Sequence, residues 1–78
     1  MSDDPRAWPQ RALRAERLLT IRDLARQADV APSTVYLIES GRAAPHPATM
    51  RRIAAALGVD PMQIDEFRAA RAARARPR

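Results

Sequence analysis

Residues 30–42 read VAPSTVYLIESGR and contain both a start signal and a stop signal for a short helix. Pro32 suits the first position of a helix, where its missing N–H would have no partner anyway, and Gly41 supplies a stop. Val35 and Ile38 lie three residues apart, so both face the same side of such a helix. The stretch therefore predicts a short helix between the proline and the glycine, with one side buried and the other exposed.

A second short helix is predicted just before this stretch. Thr20 is a good N-cap with Asp23 three residues later, and apolar residues follow at helical spacing. Asp29 then interrupts the pattern, and Asp tolerates the left-handed conformation of a tight turn better than most residues. Helices over residues 21–28 and 32–40 joined by such a turn have the geometry that presents a helix to the major groove of DNA, although many small helical bundles share it.

Three more helices are predicted on either side of this pair. The first runs over residues 9–17, with Leu13 as its apolar anchor and Trp8 packed at its start. The fourth runs over residues 47–57 and carries apolar residues at i, i+3, i+4 and i+7 before Gly58 ends it. The fifth begins with an N-cap, N1 and N3 set and carries three apolar residues: Asp60, Pro61 and Gln63, with Met62, Ile64 and Phe67.

These segments predict one small domain. A chain of 78 residues is too short for two cores, and no run alternates like a half-buried strand. We therefore expect a compact all-α domain of five helices over residues 1–67, with a helix-turn-helix formed by helices 2 and 3. Residues 68–78, which repeat Arg and Ala, are expected to form either a solvated Arg-rich tail or an extension of helix 5.

The net charge of +5 indicates a polyanionic partner such as nucleic acid. Its distribution is uneven, since residues 1–67 carry nine Arg and nine acidic residues whereas residues 68–78 carry five Arg and no acidic residue. The whole excess therefore lies in the C-terminal segment. All 14 basic residues are Arg, which a GC-rich genome explains as well as selection for bidentate phosphate contacts does.

Several residue types that catalysis and metal binding need are scarce. The chain has no Cys, no Lys and one His, so a disulfide framework, a thiolate nucleophile and a thiolate metal site are all excluded. We therefore expect no enzymatic activity, no metal and no cofactor. No apolar run approaches the roughly 20 residues that cross a bilayer, and residues 1–5 are acidic, unlike a secretory signal. A cytoplasmic protein without a membrane partner is expected.

A longer pattern extends over more than half of the chain. It runs through the following residues: Leu13-Arg14, Leu19-Thr20, Leu24-Ala25, Val30, Ser33-Thr34-Val35, Ile38-Glu39-Ser40-Gly41-Arg42, Pro45, Ile53-Ala54 and Leu57-Gly58-Val59. In this pattern the chain resembles the Cro/repressor type of helix-turn-helix proteins, often called the XRE family, and the run from Val35 to Arg42 is the most specific part. The resemblance implies a Cro/C1-repressor-like fold and binding to double-stranded DNA, with helix 3 as the recognition helix.

The resemblance also implies which residues contact DNA. Base contacts are expected from four residues of helix 3: Ser33, Leu37, Thr34 and Pro32. A Ser hydroxyl can donate to or accept from a base edge, whereas Leu can only contact the thymine methyl. Contacts to the DNA backbone are expected from five residues: Thr20, Arg22, Tyr36, Ser40 and Arg42. Ser33 and Thr34 could instead cap the first turn of the helix, and Tyr36 could instead shield helix 2.

Two further expectations concern stability and departures from the family pattern. Arg14 on helix 1 and Glu39 at the end of helix 3 match positions that form an ion pair in family members. Three positions depart from the pattern: Ile21 stands where Gln is common, Ala31 where a polar N-cap is common, and Asp29 where Gly is common. The first departure removes a frequent DNA contact, and the other two bear on stability.

Together these features predict sequence-specific binding to double-stranded DNA by a small transcriptional regulator that acts as a repressor. We expect a homodimer through helix 5, because Met62, Ile64 and Phe67 are more apolar surface than the end of such a domain needs. The alternative is a protein-binding module on the same fold, either an antitoxin whose partner is a toxin or a co-activator. A nonspecific architectural DNA binder is a third reading. Phage repressors, restriction-modification controllers and small antitoxins all share this size.

Overall fold

Short helices bounded by prolines, acidic caps and left-handed residues follow one another along the chain. The computed structural model describes residues 7–75. Its α-helices are α1 (Gln10–Glu16), α2 (Ile21–Ala28), α3 (Pro32–Glu39), α4 (Pro47–Leu57) and α5 (Asp65–Ala75). Within residues 7–75 there is no β-strand, and one isolated backbone bridge joins Trp8 to Ile64. The predicted all-α fold of five helices is therefore confirmed, with α2 and α3 as the helix-turn-helix.

The first four helices end in the same way. Each is followed by a residue with positive φ, and these are Leu18 (57°), Asp29 (57°), Gly41 (75°) and Gly58 (73°). The next residue then donates its N–H to a carbonyl of the last helical turn, at 3.1, 3.0, 2.9 and 3.0 Å in the same order. This is the Schellman ending, in which an apolar residue after the left-handed position commonly packs back on the helix.

The residue after the left-handed position is apolar in three of these four endings. Leu19, Val30 and Val59 are half-buried and pack against the core. The fourth is Arg42, which follows α3 and is exposed. The ending of α3 therefore uses the common backbone conformation without the common packing contact.

The core lies where α2 packs against both α3 and α4. Its largest fully buried side chains come from α2, α3, α4, α5 and the segment before α5: Leu24, Val35, Ile38, Ile53, Ile64 and Phe67, together with one polar residue, Gln10 of α1. A polar residue in this set requires hydrogen bonds inside the protein, because burying an unpaired amide is costly. The partners of Gln10 are described with the site below.

The start of the fifth helix was predicted wrongly. Asp60 does form a capping box with Gln63, but the box opens a single 3₁₀ turn, Pro61–Gln63, and Ile64 then returns to an extended conformation before α5. The backbone of Trp8 holds this break in place: its N–H donates to Gln63 O at 2.9 Å and its carbonyl accepts from Asp65 N at 2.9 Å. The Trp8 side chain itself is 55% exposed and does not form the predicted packing at the start of α1.

The break before α5 also removes the reason given for a dimer through helix 5. Ile64 and Phe67 are both 0% exposed, because the extended Ile64 and the first turn of α5 point both side chains into the core. Met62 is half-buried and packs against the same core. The apolar residues that were expected to form an interface between two copies are therefore used within one copy.

We predict that Leu18→Gly stabilises the protein. Leu18 has a φ of 57° and a side chain that is 90% exposed, so Gly would remove the left-handed strain at almost no loss of packing. The expected gain is about 0.5–1 kcal/mol, since the strain of about 1–2 kcal/mol is partly offset by the flexibility of Gly in the unfolded chain. Urea unfolding measures it, and Leu18→Ala, which keeps the Cβ, is the control. A lower midpoint for Leu18→Gly would contradict the prediction.

Candidate nucleic-acid interface

The exposed side of α3 carries one stripe that contains both polar and apolar side chains. Val35 and Ile38 face the core at 0% and 2% exposure. Four residues at helical spacing share the opposite side and are exposed: Ser33, Tyr36, Leu37 and Ser40. The structure therefore places two of the predicted base contacts and two of the predicted backbone contacts side by side.

The first turn of α3 leaves its hydroxyl groups without partners inside the protein. The N-cap residue is Ala31, which makes no side-chain capping bond. Within residues 7–75 the hydroxyls of Ser33 and Thr34 make no hydrogen bond, so neither acts as a cap. Pro32 and Ser33 are exposed, whereas Thr34 is half-buried. Ser33 is thus the better placed of the two hydroxyls to contact a base.

The backbone carbonyl of Leu37 organises the end of α3. It accepts from Arg42 N at 2.9 Å and Ala43 N at 3.3 Å, and from Ser40 Oγ at 3.1 Å. The peptide that carries the predicted base-reading side chain therefore also fixes the turn that carries Arg42. Because these bonds use the backbone of Leu37, its side chain, which is 36% exposed, can be changed without removing them.

A buried ion pair fixes α3 against α1. Arg14 donates to both carboxylate oxygens of Glu39, from Nε to Oε2 at 3.0 Å and from Nη2 to Oε1 at 2.9 Å. The side chains are only 14% and 7% exposed. Arg14 Nη1 also donates to Leu19 O at 3.0 Å. One guanidinium therefore binds the last residue of α3 and the turn that leads into α2.

Gln10 extends this pair into a network across three helices. Its Nε2 donates to Glu39 Oε2 at 2.9 Å, and its backbone N–H, at the start of α1, donates to Glu66 Oε1 of α5 at 2.9 Å. The Oε1 atom of Gln10 is buried and has no hydrogen-bond partner within residues 7–75. The carboxylates of α3 and α5 thus meet the same residue of α1.

The start of α2 is a closed capping box. Thr20 Oγ1 accepts from Asp23 N at 3.0 Å, and Thr20 N donates to Asp23 Oδ2 at 3.0 Å. The bond from the Thr20 backbone N–H is the main cause that lowers the pKa of Asp23, aided by the Thr20 hydroxyl and by Arg26. The backbone N–H groups of Ile21 and Arg22 remain without a helical partner and can bind an anion.

The two predicted contact residues at this end of α2 are both exposed. Thr20 and Arg22 line one side of a shallow surface pocket with the α1–α2 turn. Ile21, which stands where the family pattern has Gln, is half-buried and packs against the core. The departure at residue 21 therefore replaces a polar surface residue with a packing residue.

Arg11 was missed by the sequence analysis. It lines an open pocket of about 350 Å³ between α1, α2 and α3, together with Tyr36 and Ser40 of α3. The remaining lining residues are Arg14, Ile21 and Glu39. The signal for Arg11 was its spacing: it lies three residues before Arg14, which places both on the same side of α1.

The arginines of the described residues fall into two groups. Six have partners within the protein: Arg14, Arg17, Arg26, Arg52, Arg68 and Arg74. Five have guanidinium groups that make no hydrogen bond or ion pair within residues 7–75: Arg11, Arg22, Arg42, Arg51 and Arg71. The first three of these five lie on α1, at the start of α2 and directly after α3, and Arg11 shares a pocket with Tyr36 and Ser40 of the stripe.

Other kinds of site find no support in this part of the chain. Among residues 7–75 no three His, Cys, Asp or Glu side chains lie close enough together to hold a metal ion. His46 occupies the N-cap position of α4 but makes no side-chain capping bond. None of the described helices has the length and apolar character that crossing a membrane requires. Arg76 and Arg78 of the predicted tail lie outside the described residues.

Comparison with known proteins identifies one family. Residues 11–67 match the model of a family described as "Helix-turn-helix domain". The match covers well over half of the chain and includes α2, α3 and α4 in full. No curated protein and no solved structure matches the chain.

We predict that Glu39→Gln strongly destabilises the protein, because it leaves the buried Arg14 charge without a carboxylate. The expected loss is about 3 kcal/mol, or more than about 10 °C in Tm for a domain of this size. Glu16→Gln is the matched control, since Glu16 is 78% exposed and lies 3.7 Å from Arg17. Thermal unfolding followed by circular dichroism compares the two. Equal melting temperatures for both variants would show that the pair adds nothing to stability.

Proposed function

The chain belongs to a helix-turn-helix domain family, and on this premise we propose that it is a transcriptional regulator of the Cro/repressor type that binds double-stranded DNA sequence-specifically. In this proposal α3 enters the major groove, where a helix fits and where each base pair presents a distinct pattern of groups. The observation that carries the proposal is the exposed stripe of α3: its Leu37 is exposed, its Ser33 hydroxyl makes no hydrogen bond within residues 7–75, and two arginines that lack partners in the same range, Arg11 and Arg42, lie beside the helix and directly after it.

The residues of the stripe divide by chemistry into base and backbone contacts. Ser33 and Leu37 read bases, with Pro32 and Thr34 beside them at the start of the helix. Leu37 has no hydrogen-bonding group, so it favours a thymine methyl. The proposed contacts to phosphate and sugar come from Thr20, Arg22, Tyr36, Ser40 and Arg42, to which the structure leads us to add Arg11.

The distribution of charge supports binding on this side of the molecule. Residues 1–67 have no net charge in sum, yet Arg11 and Arg42, which lie beside α3 and directly after it, make no ion pair within residues 7–75. A guanidinium that is already paired gains little from a phosphate, whereas an unpaired one releases a condensed counterion from DNA when it binds. Local pairing therefore makes this face basic although the domain as a whole is neutral.

A pair of copies on DNA would supply the specificity that one α3 lacks. Ser33 and Leu37 are few direct base readers, so a single half-site would be poorly discriminated and DNA shape would have to contribute. Two copies related by a two-fold axis would place their α3 helices about 34 Å apart, one turn of DNA. The proposed homodimer must use a surface other than Ile64 and Phe67, since both are fully buried. Bound in this way, a repressor would block access to its site.

A protein-binding role is the second candidate, and one observation favours it. Trp8 and Leu18 are exposed large apolar side chains that lie outside the α3 stripe. A toxin bound by an antitoxin, or another protein partner, could cover them. Selecting bound sequences from a random duplex pool separates the two roles, since a protein-binding module would enrich no sequence.

The roles of Leu37 and Arg42 lead to a prediction with two DNA substrates. Leu37→Ala should weaken binding to the selected duplex by about tenfold, near the low end of the cost of one mismatch, and leave random DNA nearly unaffected. Arg42→Ala should weaken binding to both alike. Arg71→Ala removes an exposed charge of α5 that has no partner within residues 7–75, and it is the control. Fluorescence anisotropy gives the affinities, and equal losses on both duplexes for Leu37→Ala would falsify its role as a base reader.

The assignment of Arg11 leads to a prediction about salt dependence. If its guanidinium contacts one phosphate, Arg11→Ala should lower the slope of log K against log salt by about 0.9. Affinity for selected and random duplexes should fall by the same factor, because a phosphate contact carries no sequence information. Titrations at four or five salt concentrations measure the slope. A slope unchanged from the wild-type protein would place Arg11 outside the interface.

A further inference from the structure

The last helix continues beyond the family domain. The match to the family ends at residue 67, whereas α5 continues to Ala75. The eight additional residues, 68–75, lie beside the loop of residues 41–46 that joins α3 to α4. Ala69, Ala70 and Ala73 form one wall of a groove whose other wall is residues 41–45 of this loop, with Ile38 and Glu66 also lining it.

One hydrogen bond joins the additional residues to the 41–46 loop. Arg74 Nη2 donates to Pro45 O at 3.0 Å. Pro45 is buried, and Ala70, one turn before Arg74, is buried as well. Ala43, Ala44, Ala69 and Ala73 add only short side chains to the walls, so the groove stays open beside this hydrogen bond. Arg74 therefore reaches across the end of the groove to the backbone of the loop.

The 41–46 loop is thus held from both ends. At its start the carbonyl of Leu37 accepts from Arg42 N and Ala43 N, and near its end Pro45 O accepts from Arg74. Arg42, the proposed phosphate contact, makes the first attachment through its own N–H, and Arg74 holds the chain three residues further on. The ending of α3 lacks the packed apolar residue that follows α1, α2 and α4. The position of the 41–46 loop therefore depends more on the hydrogen bond from Arg74 to Pro45 O.

We propose that Arg74 is a positioning residue, which holds the 41–46 loop so that Arg42 meets a DNA phosphate without further ordering. This inference rests on the proposed function. Ordering a loop on binding costs conformational entropy, and a loop that is already held avoids that cost. The Arg-rich segment then has two roles by position: Arg74 supports a contact, while Arg71, exposed and unpaired within residues 7–75, adds only charge.

The first test needs no DNA. Amide hydrogen exchange of the free protein reports how often the 41–46 loop opens, through the N–H groups of Arg42 and Ala43. Arg74→Ala should raise their exchange rates about 3- to 10-fold, the range expected for one hydrogen bond. Arg71→Ala removes the same charge from the same helix and should leave both rates unchanged. Arg74→Lys, which can still donate to Pro45 O, should restore the wild-type rates. Unchanged rates in Arg74→Ala would overturn the proposal.

The second test asks whether Arg74 acts through Arg42. In the wild-type background Arg74→Ala should weaken DNA binding about 3- to 10-fold more than Arg71→Ala does. In an Arg42→Ala background the two variants should weaken binding equally, because the loop then has no contact left to position. If Arg74→Ala has the same effect in both backgrounds, Arg74 contacts DNA or acts by charge alone, and the proposal is wrong.

The two tests separate failure of this inference from failure of the proposed function. A wild-type protein that binds no duplex would refute DNA binding and with it the role of Arg74 in positioning Arg42, whatever the exchange rates show. A wild-type protein that binds DNA, together with equal effects of Arg74→Ala and Arg71→Ala, would leave DNA binding intact and refute the positioning role alone.

Discussion

The bidentate bond between Arg14 and Glu39 ties the end of α3 to α1. Both side chains are mostly buried, so losing one partner leaves the other charge poorly compensated. Glu39 is the last residue of α3, which means that the orientation of this helix is set from α1. Through Gln10 the same group of bonds reaches Glu66, and α5 is oriented against α1 as well. Three helices that are distant in sequence thus share one polar centre.

This centre also explains how so small a domain presents a rigid face. Within residues 7–75 the only side-chain hydrogen bond of the exposed α3 stripe is the one from Ser40 to Leu37 O. Its rigidity comes from the opposite side, where Val35 and Ile38 pack in the core, and from its two ends, where Ala31 O accepts from Thr34 N and Glu39 binds Arg14. The outward side chains of α3 can therefore be changed while the packing and the hydrogen bonds that hold the helix remain.

Start and stop signals in the local sequence were enough to predict most of the helices, and they failed at the start of α5. Start and stop signals are present in the local sequence at three places: Thr20 with Asp23, Pro32 before Gly41, and Pro47 before Gly58. The helices that begin or end at these residues form nearly as predicted. Asp60 and Gln63 failed because a capping box opens a 3₁₀ turn as readily as an α-helix. What decides between them is the backbone of Trp8, more than 50 residues away, which bonds on both sides of Ile64. For the site, periodicity placed the α3 stripe correctly, whereas the contacts of Gln10, Arg11 and Arg74 join distant segments and leave little trace in local sequence.

The four Schellman endings differ in whether the residue after the left-handed position packs against the core. After α3 the backbone conformation is supplied by Gly41 and the carbonyl of Leu37. The side chain of residue 42 does not pack against the core, unlike those of Leu19, Val30 and Val59 in the other three endings. A side chain that does not contribute to the stability of the fold can vary in evolution at the rate that selection on binding allows. With Arg42 in its proposed role as a phosphate contact, drift at residue 42 among duplicated copies of such a gene would change affinity for DNA in general before any change in the preferred sequence, so that a new regulator could first be weakened and only later be redirected.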